Sequence, residues 1–171
     1  HDSGGERQLM VDLADQAGVP LTDLTPATVT KLEQILDPEL PAVNPLDGWS
    51  RGGPKSEQNM TDCMSLMLKD PGAALGGIMH DRAPDGLIYE SYVRYLKRAH
   101  RESGKPVALV AARQGTGSDP LAIEMTHAGL PVIDGVAQFL NGVRGLMNYR
   151  DFLAQPALDA PPAPEGVADH W

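Results

Sequence analysis

The chain has 171 residues, enough for one domain with a real core, and its 42% hydrophobic and 22% charged content suits an ordinary soluble globular protein. A net charge of -9 without any basic run argues against a nucleic-acid surface, which needs clustered Lys and Arg to neutralise phosphates. No apolar run approaches the roughly 20 residues of a membrane span, and the start lacks a charged-then-apolar signal pattern, so the expected setting is cytoplasmic, with neither nucleic acid nor membrane as partner.

The opening "HDSGGE" gathers His1, Asp2, Ser3, Gly4, Gly5 and Glu6 just ahead of an amphipathic helix. A Ser3 nucleophile is a poor reading: chain neighbours cannot converge as a triad must, and no Gly-x-Ser-x-Gly elbow surrounds it. Ser3 to Glu6 also reads as a capping box, with the Ser3 hydroxyl accepting from the Glu6 N–H and the Glu6 carboxylate reaching back to Ser3. Two consecutive glycines are more than a cap requires. They bare the first helical turn, where free N–H groups and the positive end of the dipole favour an anion such as phosphate. Spacing alone leaves cap and anion site equally open, and Glu6 competes for the anion's place.

Apolar positions at helical spacing follow: Leu9, Met10, Leu13, Ala14 and Ala17, then Val29, Leu32, Ile35 and Leu36. The loop "NPLDGWSRGG" carries Asn44, Asp47, Trp49 and Arg51. Asn44 and Asp47 either shape a site or bond their own turn. Cys63, the single cysteine, excludes an intrachain disulfide or a Cys-x-x-Cys site and sits among Met60, Met64, Met67 and Leu68, which marks it as inert core. "AALGGIM" (73–79) is a continuous apolar strand, and His80, Asp81 and Arg82 at its end either touch a ligand or are simply solvated. A fourth helix carries Ile88, Tyr92, Tyr95, Leu96 and Ala99. "VALVAA" (107–112) is a second strand, Leu121 to Met125 a fifth helix, Leu130 to Ile133 a third strand, and Val136 to Met147 a last helix. The loop "ARQGTGSDP" is no Walker motif, and Ser118 before Pro120 is its expected cap. His100 and His127 are expected at the surface, and no third ligand accompanies His80 and Asp81 to make a metal site.

"DQAGVPLTDL", "RESGKPVALVAA" and "THAGLPVIDG" share one grammar: a helix stopped by Gly18, Gly104 or Gly129, then proline, then an expected strand. Apolar strands alternating with helices predict an α/β fold, a flavodoxin-like doubly wound parallel sheet. No strand leads into the first helix, so the first strand of that sheet is expected to be lacking here. Residues 1–150 are expected to form the domain, and the Pro/Ala-rich residues 151–171 a linker.

Ser3-Gly4-Gly5, "DQAGVPLTDLTPATVTKLEQIL", "NPLD", "ALGGIM", "GKPVALVAA" and "HAGLPVIDGVAQFLNGVRGL" occur in an order that resembles one domain of the NDP-forming acyl-CoA synthetases, relatives of succinyl-CoA synthetase. The resemblance runs from about Ser3 to Tyr149 and points to the flavodoxin-like domain equivalent to the C-terminal domain of the succinyl-CoA synthetase β subunit. It implies an acid–CoA ligase that converts acid, CoA and ATP to acyl-CoA, ADP and phosphate through an acyl phosphate and a phosphohistidine. Implied partners are CoA-binding, phosphohistidine and ATP-grasp domains of the same or a partner chain, in a homo- or hetero-oligomer. ATP/ADP, CoA and Mg2+ would serve the whole enzyme, none held tightly by this segment, which alone would be inactive. Ser3, Gly4 and Gly5 would face the phosphohistidine of another domain. Arg7, Asn44, Asp47 and His80 would help shape the site, with Asn44-Pro45-x-Asp47 following a sheet strand. The family commonly has Thr-Asn before Ser-Gly-Gly; here His1-Asp2 and Glu6 bring negative charge. That departure keeps open a noncatalytic flavodoxin-like docking module, whereas a flavin carrier is disfavoured for want of a Ser/Thr-rich phosphate loop.

Overall fold

The structure, a computed structural model, describes residues 3–48, 53–80, 87–112 and 115–156. His1, Asp2, Trp49, Arg51, Asp81, Arg82 and the linker from 157 onward lie outside the described residues. In chain order the elements are α1 (Gly4–Ala17), α2 (Pro26–Glu33), α3 (Ser56–Lys69), β1 (Gly76–His80), α4 (Glu90–Ser103), β2 (Val107–Ala111), a 3-10 turn (Thr116–Ser118), α5 (Pro120–His127), β3 (Val132–Asp134) and α6 (Val136–Leu153).

The three strands form one parallel sheet in the order β1-β2-β3, with Gly76 opposite Val107, His80 opposite Ala111, and Leu109 opposite Val132. Strand side chains alternate between faces. Ile78, Val107 and Leu109 enter a cluster with Tyr92, Tyr95, Leu96 and Met125, while Met79, Ala108 and Val110 pack with Met10, Ala14, Phe139 and Leu140. The sheet is therefore covered by α3, α4 and α5 on one face and by α1 and α6 on the other, the doubly wound, flavodoxin-like arrangement. Its described part is three-stranded, with the remaining strands of that fold missing. A third cluster around Leu32, Leu36, Leu46 and Cys63 joins α2 to α3.

Gly18 and Gly104 end α1 and α4 in the left-handed conformation (φ 62 and 69), which a side chain would strain. Gly104 is followed by β2 as expected, and Gly129 by β3. Gly18 is not: residues 19–25 form no strand. Pro20 has no N–H to donate and no strand lies alongside, so the segment is tied by side chains instead, through Asn44 Nδ2 to the Thr22 carbonyl (3.0 Å) and the Thr22 hydroxyl to the Gly72 carbonyl (3.1 Å). Residues 41–48 likewise form no strand ahead of Asn44-Pro45-x-Asp47, since Pro41 and Pro45 each remove a donor. The Asn44–Pro45 peptide is cis.

Two further differences concern helix ends and faces. Asp119, not Ser118, caps α5, its Oδ1 accepting from the N–H groups of Leu121 (2.8 Å) and Ala122 (3.3 Å). Its reach matches that geometry, while Ser118 is taken into the 3-10 turn. Leu9 and Leu146 are exposed despite their place in the apolar pattern, Leu146 at 63%. The carboxyl end of α1 lacks a basic residue of its own; Arg144 of α6 donates to the Gly18 carbonyl (2.6 Å) and fills that role.

Asp70, buried at the end of α3, clips three segments together. Its Oδ2 accepts from the Thr25 N–H (2.9 Å) and hydroxyl (2.8 Å), its Oδ1 from the Gly72 N–H (2.9 Å), and its carbonyl from Lys105 Nζ (2.7 Å). The Thr28 hydroxyl above all, then the Thr25 N–H, hold its carboxyl well below the usual carboxylate range. A lowered folded-state pKa adds stability above the ordinary value, about 4, that is lost as pH falls below it. Asp70→Asn is therefore expected to be less stable at pH 7 and to show a shallower acid loss than the wild type, measured by urea unfolding across pH. Leu109→Ala, which empties the buried centre of β2, should cost about 2–5 kcal/mol in the same measurement.

Candidate functional site at the amino end of α1

Ser3, Gly4 and Gly5 are exposed at the start of a 14-residue helix. The Ser3 hydroxyl accepts from the Glu6 N–H (3.2 Å), the hydroxyl half of the expected capping box, and Arg7 N–H bonds the Ser3 carbonyl (3.1 Å). Those two bonds account for the third and fourth N–H groups of the turn. The N–H groups of Gly4 and Gly5 have no hydrogen-bond acceptor among the described residues, and the turn carries no Cβ there: one added on Gly5 would meet nothing within 4 Å, and one on Gly4 only Asp47 Oδ2 at 3.9 Å.

The loop of Asn44 to Gly48 is held against this turn. Arg7 Nε donates to the Pro45 carbonyl (2.9 Å), so the guanidinium anchors loop to helix. Among the described residues the Asn44 side chain bonds not its own turn but Thr22, its amide donating to the Thr22 carbonyl. Gly48 is pressed onto Met60, whose Sδ would lie 2.8 Å from an added Cβ. Asp47 thus comes to the positive end of the helix dipole, with Oδ1 buried and lacking a hydrogen-bond partner among the described residues. Both Glu6 carboxylate oxygens are buried as well. An N-terminal dipole stabilises such a carboxylate by about 0.3–1 kcal/mol when exposed and up to about 2 when partly buried. The structure therefore brings Ser3, Gly4, Gly5, Arg7 and Asp47 together, with Asn44 supporting them.

His80 is elsewhere. It is fully buried at the end of β1, stacked on Tyr92 with ring centroids 4.8 Å apart and edge-on to Tyr89 at 6.4 Å, so it is not a solvated strand end. His100 and His127 are exposed, as expected. Sequence reasoning passed over Asp134 and Asp119. Asp134, closing β3, accepts from the N–H groups of Gly115 (2.6 Å) and Thr116 (3.0 Å) and from the Thr116 hydroxyl, and so shapes the loop after β2. Asp119 also accepts from the Ile88 N–H (2.7 Å), fixing the approach to α4. The available signal was the aspartate before glycine in "VIDG" and before proline in "SDP". Among the described residues no three His, Cys, Asp or Glu side chains gather as a metal site, and no helix is long and apolar enough to cross a membrane.

This arrangement of sheet and helices occurs in solved structures. PH0766 from Pyrococcus horikoshii OT3 superposes with a TM-score of 0.71 at 20% identity over 88% of this chain. The apo form of a dinucleotide forming acetyl-coenzyme A synthetase 1 from Ca. Korarchaeum cryptofilum does so with 0.68 at 14% identity, also over 88%. The chain shares the fold of these two structures. The chain spans about a third of each of those structures, 34% and 32% respectively. No family model and no curated protein matches the sequence.

Cys63 stands apart from this chemistry. Burial first, and the neighbouring Asp62 charge second, push its thiol up to about 12. At pH 8 the native chain should therefore leave an aromatic disulfide reagent unreacted, and colour should develop only on unfolding in urea.

Proposed function

We propose that this chain is a domain of an NDP-forming acyl-CoA synthetase and that the first turn of α1 faces a phosphohistidine supplied by another domain. The observation that carries the reading is the pair of exposed glycines, Gly4 and Gly5, whose N–H groups have no acceptor among the described residues, at the head of a long helix in an acyl-CoA synthetase-like fold. Two such donors and the helix dipole would stabilise phosphoryl charge during transfer without a side chain having to reorganise. Arg7 fixes the Asn44–Gly48 loop and thereby the depth of the turn.

In this proposal acid, CoA and ATP become acyl-CoA, ADP and phosphate. ATP, CoA and Mg2+ enter through the CoA-binding and ATP-grasp domains, and no residue of this chain is assigned to hold them. The role of this domain is to position and to stabilise charge.

The buried carboxylates of Glu6 and Asp47 favour a second reading, a docking module without a phosphate role, because an incoming phosphate would meet both negative charges. Proline substitution separates the two. Pro is tolerated in a first helical turn, where its missing N–H costs no intrahelical bond. In the full-length protein, Gly4→Pro/Gly5→Pro is expected to retain a native melting transition and to lose at least about tenfold in acyl-CoA formation, roughly the 1.4 kcal/mol of one charge-assisted contact. Acid-labile, base-stable phosphate from γ-labelled ATP should still be found on the wild type. Unchanged turnover in the folded variant, or no phosphoenzyme at all, would establish the docking module instead.

A further inference from the structure

α6 carries two apolar faces, and the domain buries only one of them. Val136, Phe139, Leu140 and Val143 pack into the cluster behind β2, and Arg144 turns to the end of α1. The other face consists of Gly142, Gly145, Tyr149 and Phe152, spaced 3, 4 and 3 residues apart, with Leu153 beside them. Such spacing places all of them on one stripe of the helix, as at the a and d positions of a coiled coil. Val143, Leu146 and Met147 are turned to the cavity beside β1, and no residue of the stripe lines it.

Every residue from Asn148 to Pro156 is exposed, Tyr149 at 60%, Phe152 at 64% and Leu153 at 62%. Three large apolar side chains within five residues form a patch, in contrast to the single exposed apolar residues of an ordinary surface. At about 3.6 residues per turn, Arg144, Arg150 and Asp151 fall on the opposite arc, so the stripe carries no charge. Size changes along it in one direction. A Cβ on Gly142 or Gly145 would meet nothing within 4 Å, which makes the first half a bare notch, and Tyr149, Phe152 and Leu153 make the second half a ridge.

We infer that this face of α6 is the pairing surface for a second copy of the same chain, in an antiparallel helix-to-helix dimer. Two observations select that occupant. The order small before large is complementary to itself when reversed: a two-fold axis level with Met147 puts Tyr149 level with the partner's Gly145 and Phe152 level with the partner's Gly142. Ridge then fills notch twice by one symmetry operation. The area also suffices. Aromatic side chains bury roughly 150–250 Å2 each, so two aromatics and a leucine from each chain, with the glycines they cover, remove on the order of 1,000 Å2, the level that specific pairing requires. This inference does not depend on the phosphate role of α1.

Sedimentation velocity tests it on the 171-residue chain, which is expected to pass from monomer to dimer as its concentration is raised to about 1 mM. Phe152→Lys should move the midpoint at least about tenfold higher. Gly142→Leu/Gly145→Leu adds apolar surface and helix propensity at open positions, so it should melt no lower than the wild type. Because it fills the notch, it too should weaken pairing by at least about tenfold. Unspecific apolar adhesion would instead be strengthened by the added leucines. Equal or tighter pairing in that variant would therefore overturn the inference, as would an unchanged midpoint in Phe152→Lys or a wild type that stays monomeric throughout. Pairing that arises only after residues 157–171 are removed would identify that segment as the occupant and overturn it equally.

Discussion

β2 is buried at all five positions, bonded to β1 on one side and β3 on the other. Its side chains divide between two cores, Val107 and Leu109 towards α4 and α5, Ala108 and Val110 towards α1 and α6. A slip of one residue would exchange Leu109 for an alanine on one face and crowd the other, so the register is fixed by packing on both sides at once. Because the strands are parallel, all their carboxyl ends emerge together, and the loops that Asp119 and Asp134 organise grow from that one edge. The helices have no independent frame: they sit where the two faces of β2 allow.

The amino end of α1 joins two opposing tendencies. Backbone geometry there suits an anion, since the two leading amides have no acceptor among the described residues and belong to glycines. Side-chain chemistry already supplies negative charge, with Asp47 brought in by the Arg7 contact and Glu6 from the helix itself. Which tendency prevails depends on what faces the turn. A partner surface with its own cations would offset the carboxylates and leave the amides to act, whereas bulk water would leave the carboxylates dominant.

Most of the fold was legible in the sequence because it rests on periodicity. β1, β2 and β3 overlap the apolar runs at 73–79, 107–112 and 130–133, with β1 and β3 each running one residue further, and all six helices overlap their patterns, although Ile35 and Leu36 lie beyond α2 and Ile88 ahead of α4, since burial on both faces writes a strand as a continuous run and a helix as a stripe. Local grammar misled where pairing was required. The "AGVP" phrase shares its Gly-x-Pro with the two true helix-to-strand joints, yet a strand exists only if another lies beside it, and prolines at 20, 41 and 45 thin the donors available. Ser118 was preferred as a cap on residue type, but Asp119 holds the position. At the candidate site, proximity in sequence gave Ser3 to Arg7, while the approach of Asp47 to Gly4 and the loss of His80 to an aromatic stack are long-range facts that no local pattern encodes.

Arg144 gives α1 a property that its own residues lack. The helix has no basic side chain in its last turn, and the guanidinium bonded to its final carbonyls belongs to a residue 126 positions further along the chain. Until synthesis has passed that point, the carboxyl end of α1 has no basic side chain to neutralise its carbonyls, although Arg7 and the packing of Met10 and Ala14 already hold the rest of the helix. The two ends of α1 are thus anchored by partners far apart in the chain, the amino end by the 44–48 loop and the carboxyl end by α6. A truncation that removes α6 would therefore uncap α1 as well as uncover one face of the sheet.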